Sequence, residues 1–159
     1  MSPVIGIYSF LVLYSILALL YVINVMKRAV NYPFILLLCS NIIACLGYLW
    51  YSTAEDVGEG IIGMKLIYFG GIAMLYFMLR LIVSVCKISY PNWIRLLLGA
   101  LSGFSLYMSM MIGINDSFYK NVEIVKTPGY SYLVKEYGPF HIIHVIVLLM
   151  YIFLSLAAS

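Results

Sequence analysis

His141 and His144 stand three residues apart, so on a helix their imidazoles share one face. Two imidazoles so placed are half of a metal site. A zinc centre needs further ligands, and neither an HExxH pattern nor a second His/Cys/Asp/Glu cluster accompanies them. No metal is therefore expected. The pair is left with two other uses: lining a polar cavity, where imidazoles titrate near neutral pH, or packing.

Lys65 follows closely on Glu55, Asp56 and Glu59. A lysine there could pair with one of those carboxylates, hold an anionic ligand, or snorkel to water from an apolar helix. Arg80 lies roughly four helical turns further on and reads as an anchor at the opposite membrane interface. Gly99 and Gly103, in Gly-Ala-Leu-Ser-Gly, have the small-xxx-small spacing that lets helices approach closely. Ser105 and Ser109 repeat that spacing on another face, and Gly70 and Gly71 would also permit close approach.

No catalytic set emerges. The chain has no Gly-rich phosphate loop after a strand, no Ser/His/Asp constellation and no carboxylate pair within an apolar segment. Charges inside the apolar segments are too few for a proton relay. The reading is of a chain with no enzymatic activity and no cofactor, built for sensing or assembly.

These residues must be positioned by membrane-spanning helices. Of 159 residues, 65% are hydrophobic and 9% charged, with a mean hydropathy of +1.07. Such a chain has too little polar surface for a soluble domain. Five apolar stretches reach the length that crosses a bilayer: about 3–26, 33–52, 62–85, 93–114 and 139–157. The expected fold is an all-α membrane protein, one bundle of five transmembrane helices forming a single domain. Tyr48, Trp50 and Tyr51 crowd the end of the second span as an aromatic belt would. Ser52 or Thr53 could cap a short helical turn after it. Cys39, Cys45 and Cys86 show no metal-ligand spacing and read as buried small hydrophobes. The N-terminus lacks the basic start of a signal peptide.

Between the fourth and fifth spans, residues 115–138 form the longest polar segment. Val122–Lys126 and Ser131–Lys135 alternate in period two around Thr127-Pro128-Gly129-Tyr130. Proline and glycine occupy the central positions that a type II turn prefers. A small external β-hairpin is expected there.

Charge sets the orientation. Lys27, Arg28, Arg80, Lys87 and Arg95 fall at the first and third breaks with no acid among them. All six acids fall at the second and fourth breaks, with Lys65, Lys120, Lys126 and Lys135. Positive charge stays on the cytoplasmic side. The expected topology in the plasma membrane is N-terminus outside and C-terminus cytoplasmic. The dispersed basic residues give no reason to expect nucleic acid as a partner.

The order of features carries a resemblance. Leu46-Gly47-Tyr48-Leu49-Trp50 leads into Ala54-Glu55. Met64-Lys65-Leu66-Ile67-Tyr68-Phe69-Gly70 follows, and Tyr137-Gly138-Pro139-Phe140 with His141 and His144 comes after the long loop. From about Pro33 to Ser159 the chain resembles the seven-transmembrane N-terminal sensor region found ahead of bacterial histidine kinases and diguanylate cyclases. The resemblance implies a region that receives an outside signal and passes it to a cytoplasmic output domain, normally as a dimer. It places Glu55, Lys65 and the Gly138-Pro139 entry near the sensing face. The chain departs from that pattern in having five spans and no kinase or cyclase after them. It reads either as part of a longer receptor or as a five-span relative that signals through another protein.

Together these readings make the chain a sensor for an extracytoplasmic small molecule or peptide. Glu55, Lys65, Tyr68, His141 and His144 are the candidate lining residues, among the outer halves of spans two, three and five. The alternative is an assembly or scaffold subunit of a membrane complex, with Gly99/Gly103 and the tyrosine-rich surfaces as contacts. A fragment of a small-solute transporter ranks last, because neither repeats nor broken helices are visible.

Overall fold

A computed structural model of the chain describes residues 2–25 and 32–158. Lys27 and Arg28, on which part of the orientation rests, lie outside the described residues. The elements run α1 (Pro3–Val25), α2 (Tyr32–Thr53), α3 (Val57–Val85), α4 (Asn92–Met110), β1 (Tyr119–Thr127), β2 (Tyr130–Tyr137) and α5 (His141–Ala157). The first four helices are long and apolar enough to cross a membrane. The fifth, at 17 residues, is at the lower limit for a span.

Helix α1 is apolar all round and buries only Ser15 and Val22, as a lipid-facing helix should. Among the described residues it is tied to α2 by the Asn41 side-chain amide, which donates to Ser15 Oγ at 2.8 Å.

Helix α3 starts five residues before the expected span. Asp56 caps it, accepting from the Glu59 N–H at 2.8 Å, and the Glu59 carboxylate accepts from the Glu55 N–H at 2.8 Å. These reciprocal bonds satisfy otherwise orphaned donors at the helix start. Ser52 and Thr53 do not cap it. Their hydroxyls donate backwards to the Leu49 carbonyl at 3.0 Å, because they still belong to α2. Helix α4 ends four residues early, where Met111 to Ile114 form turns and Gly113 takes a positive φ of 76°.

The hairpin is present and longer than the alternation suggested. Strand β1 pairs antiparallel with β2 from Tyr119↔Tyr137 to Thr127↔Tyr130. Gly129, at φ +114°, supplies the positive dihedral the turn requires. A bulge falls between Lys120 and Val122, with Asn121 at φ +36°. The extra residue resets the alternation, so Tyr119, Val122 and Ile124 all turn toward the helices. On β2 no bulge intervenes, and Ser131, Leu133 and Lys135 share the inward face.

The helix seam lies between α2 and α3. A Cβ on Gly47 would sit 2.7 Å from the Ile67 nitrogen, on Gly63 2.6 Å from the Tyr51 nitrogen, and on Gly70 2.5 Å from the Ala44 nitrogen. Beside Gly71, Gly99 and Gly103 nothing lies within 4 Å. Gly70 thus serves close approach and Gly71 does not. The packed face of α4 is the serine face. Ser102 Oγ meets Tyr151 Oη at 2.8 Å and Ser105 Oγ meets His144 Nδ1 at 2.9 Å, both across to α5. Buried hydroxyls need partners, and α5 offers them on that face. Replacing both Gly99 and Gly103 with alanine should therefore leave the thermal midpoint of the monomeric chain unchanged or raised. Each substitution removes a helix-propensity cost of up to ~1 kcal/mol. A lowered midpoint in detergent would contradict an open face.

Candidate functional site

Two buried clusters hold the bundle. One, at the hairpin end, contains Met64, Ile112, Phe118, Tyr119 and Leu133. The other joins α3, α4 and α5 through Leu79, Leu98, Val147 and Tyr151. Beneath the hairpin, beside the first cluster, is a cavity of about 410 Å³. Helix α2 gives it Tyr48 and Tyr51, α5 gives His144 and Leu148, and β2 gives Lys135. Helix α3 supplies the largest share, including Met64, Tyr68, Gly71 and Leu75.

The hairpin is tied down over this cavity. Tyr51 Oη accepts from the Leu133 N–H at 2.8 Å, the Tyr68 and Tyr119 hydroxyls are hydrogen-bonded to each other, and Gly138 donates to the Phe118 carbonyl at 2.9 Å. A Cβ on Gly138 would lie 2.5 Å from the Asp116 and Ser117 carbonyl oxygens, so glycine is required where the hairpin returns to α5. Helix α5 then begins at His141, two residues past Pro139.

The aromatic residues form one contiguous network. The Tyr68 ring stands edge-on to His144 at 4.8 Å and to Phe118 at 5.1 Å. His141 lies 4.2 Å from the Tyr137 ring, 5.2 Å from Phe118 and 6.1 Å from His144. Edge-to-face pairs of this kind fix ring orientation beyond what area burial does. His144 is buried and its Nδ1 is taken by Ser105. Burial, and after it the neighbouring Tyr68 hydroxyl, push the Tyr119 phenol far above the usual tyrosine value, so it stays neutral.

Lys135 is the residue that sequence reasoning missed as a site residue. Its ammonium lies 4.6 Å from the Tyr119 ring centroid and 3.8 Å from the Met64 sulfur. A thioether is a weak acceptor, and desolvation lowers the lysine's proton affinity. The available signal was the alternation Ser131-Tyr-Leu-Val-Lys135: a lysine in register with Leu133 must point where Leu133 points.

The five residues singled out from the sequence divide into two groups. Tyr68, His141 and His144 come together, and Tyr68 and His144 line the cavity. Glu55 is exposed beyond the end of α2, its backbone engaged with Glu59, in a separate groove that holds Trp50 and Leu66. Lys65 is half-buried on α3 and is not among the cavity-lining residues. No group of three or more His, Cys, Asp or Glu side chains among the described residues is placed to hold a metal ion.

The family described as the N-terminal 7TM region of histidine kinase matches residues 8–159. No curated protein and no solved structure matches the chain. The match runs through every helix and the hairpin, and the apolar helices are those of a multi-pass membrane protein. The chain therefore belongs to the N-terminal seven-transmembrane region of histidine kinases, the membrane-embedded sensory input part of those receptors.

Proposed function

We propose that this sensor region detects an extracytoplasmic ligand in the cavity under the hairpin and relays its presence through α5 to a cytoplasmic kinase. The observation that carries the reading is the cavity itself. It draws side chains from three separate helices and the hairpin, so an occupant touches all the parts that would have to move. The Lys135 ammonium at its rim favours a ligand with an anionic or strongly accepting group. Leu75, Ile72 and Leu148 favour an apolar body. Tyr68 and His144 line the wall between α3 and α5.

The charge pattern supports an outward-facing hairpin. All six acids belong to the connections at the hairpin end, and Arg80, Lys87 and Arg95 belong to the other. A ligand transmits only if it binds two helix arrangements unequally. Helix α5 is suited to that role, since His144 meets Ser105 near one end and Tyr151 meets Ser102 two turns on.

The test is His144→Ala in the receptor that carries its kinase domain. The expected result is a loss of roughly tenfold or more in ligand-dependent autophosphorylation, the size of one lost charged or polar contact of about 1.5 kcal/mol. A response equal to the parent receptor's would place the ligand elsewhere. The assembly reading rests on the open face at Gly99 and Gly103. A defined partner that copurifies in fixed stoichiometry and is lost on bulky substitution there would favour it.

A further inference from the structure

A second cavity, of about 510 Å³, opens at the end of the bundle remote from the hairpin, where the start of α2, the end of α3 and the start of α4 meet. Its rim carries Arg80, Lys87 and Arg95, and its walls are Leu79, Val83, Ile94 and Leu98 with Tyr76 and Tyr90. Arg80 lies in the last turns of α3 and Lys87 two residues past its end at Val85, and both line this cleft. Lys87 closes that helix in the left-handed conformation at φ +56°, a position glycine usually fills. The Ile88 N–H then donates back to the Val83 carbonyl at 3.2 Å. The Tyr90 hydroxyl donates to the Leu154 carbonyl at 2.9 Å, which fixes one wall against α5.

Among the described residues no acidic side chain lines this cleft. The six acidic side chains are Glu55, Asp56, Glu59, Asp116, Glu123 and Glu136, and all lie in the connections at the opposite end. Residues 26–31, which precede α2, add Lys27 and Arg28 to the sequence and no acid. Like charges gathered round one cleft repel unless an external anion joins them. Salt from bulk water would answer the charge alone. It would leave Val83 and Ile94 uncovered, since of the four aliphatic wall residues only Leu79 and Leu98 are already buried. A molecule with an anionic head and a hydrocarbon tail answers both.

We propose that this cleft binds an anionic phospholipid. Its phosphate sits among Arg80, Lys87 and Arg95, and an acyl chain runs along Val83, Ile94 and Leu98. Guanidinium groups suit phosphate oxygens because they donate in a planar fork, and basic clefts between spans at the cytoplasmic face suit anionic headgroups. The site is independent of the outer cavity, so either assignment can fail alone.

The experiment reconstitutes the chain in nanodiscs of equal phosphatidylglycerol and phosphatidylcholine, then counts retained lipids by native mass spectrometry. The expected result is one phosphatidylglycerol per chain, preferred about tenfold over phosphatidylcholine. The triple variant R80Q/K87Q/R95Q should bring that preference to about one, and K120Q/K126Q on the hairpin should leave it intact. An unchanged preference in the first variant, or an equal loss in the second, overturns the proposal. So does displacement of the lipid by an equal concentration of sn-glycerol 3-phosphate, which would make a free phosphate ester the ligand. A photoactivatable phosphatidylglycerol on the unaltered chain needs no variant to fold. Crosslinks should map to residues 76–98, and crosslinks confined to α1 would refute the site.

Discussion

Gly70→Val should yield almost no monodisperse protein. A Cβ at position 70 falls 2.5 Å from the Ala44 nitrogen, 2.7 Å from the Ser40 carbonyl oxygen and 2.8 Å from the Ala44 Cα. All three are backbone atoms of α2, which cannot swing aside as a side-chain tip can. The whole seam would have to open. Gly47 and Gly63 are held to similar distances along the same interface, so a displacement at Gly70 is felt along its length. Helices in lipid associate by close packing, with no hydrophobic drive to rescue a poorer fit. Overpacking costs about 1–3 kcal/mol and sometimes more, and valine adds a branched carbon to an unyielding contact. The measurement is the recovered monodisperse fraction and its thermal midpoint in detergent. A Gly70→Val chain that melts with the parent would mean α2 and α3 are not packed as described.

Gly71→Leu, one residue along, should do the opposite: leave the fold intact and silence the response. Nothing lies within 4 Å of a Cβ placed at Gly71, and the residue lines the cavity under the hairpin. It stands one turn from Tyr68 and one turn from Leu75, so a leucine there enters the space between the polar and apolar parts of the wall. Replacing a mid-helix glycine also removes about 0.8–1.0 kcal/mol of propensity cost, so the midpoint should hold or rise. Ligand-dependent autophosphorylation of the receptor should fall by more than about tenfold, the loss of at least ~1.4 kcal/mol of binding. A full response alongside an unchanged midpoint would mean that the cavity is not where the ligand acts. The two variants differ by one position, so general effects of adding bulk to α3 cannot account for opposite outcomes.

Much of this was legible in the chain because it is written in local terms. Run length and hydropathy need no neighbour to be read, and they gave all five helices to within a few residues. The hairpin announced itself by period-two alternation around Pro128-Gly129. The bulge at Asn121 was not visible, since its signature is a dihedral and a register step. The His141/His144 pair was recognisable by type and spacing, and Tyr68 stood in the stretch that carries the resemblance; the fold brings the three rings close together. Glu55 entered through the resemblance and through its nearness to Lys65 in sequence. The α3 cap instead turns the Glu59 carboxylate to the Glu55 backbone at the helix end, and the cavity forms elsewhere.

The sequence by itself determined an apolar chain of five helices, an acidic end, a basic end and a β-hairpin before the last helix. It did so because hydropathy and periodicity are sums over neighbouring residues. Only the tertiary structure decided which small residues make a seam and which polar residues make a site. Gly70 and Gly71 are chemically identical, as are the spacings of Gly99/Gly103 and of the serines beside them. What separates them is the distance to the backbone or hydroxyl of another helix, and that depends on how the helices are rotated against each other. Lys135 lines the cavity for the same reason: the strand fixes which way it faces, and the bundle fixes what it finds there.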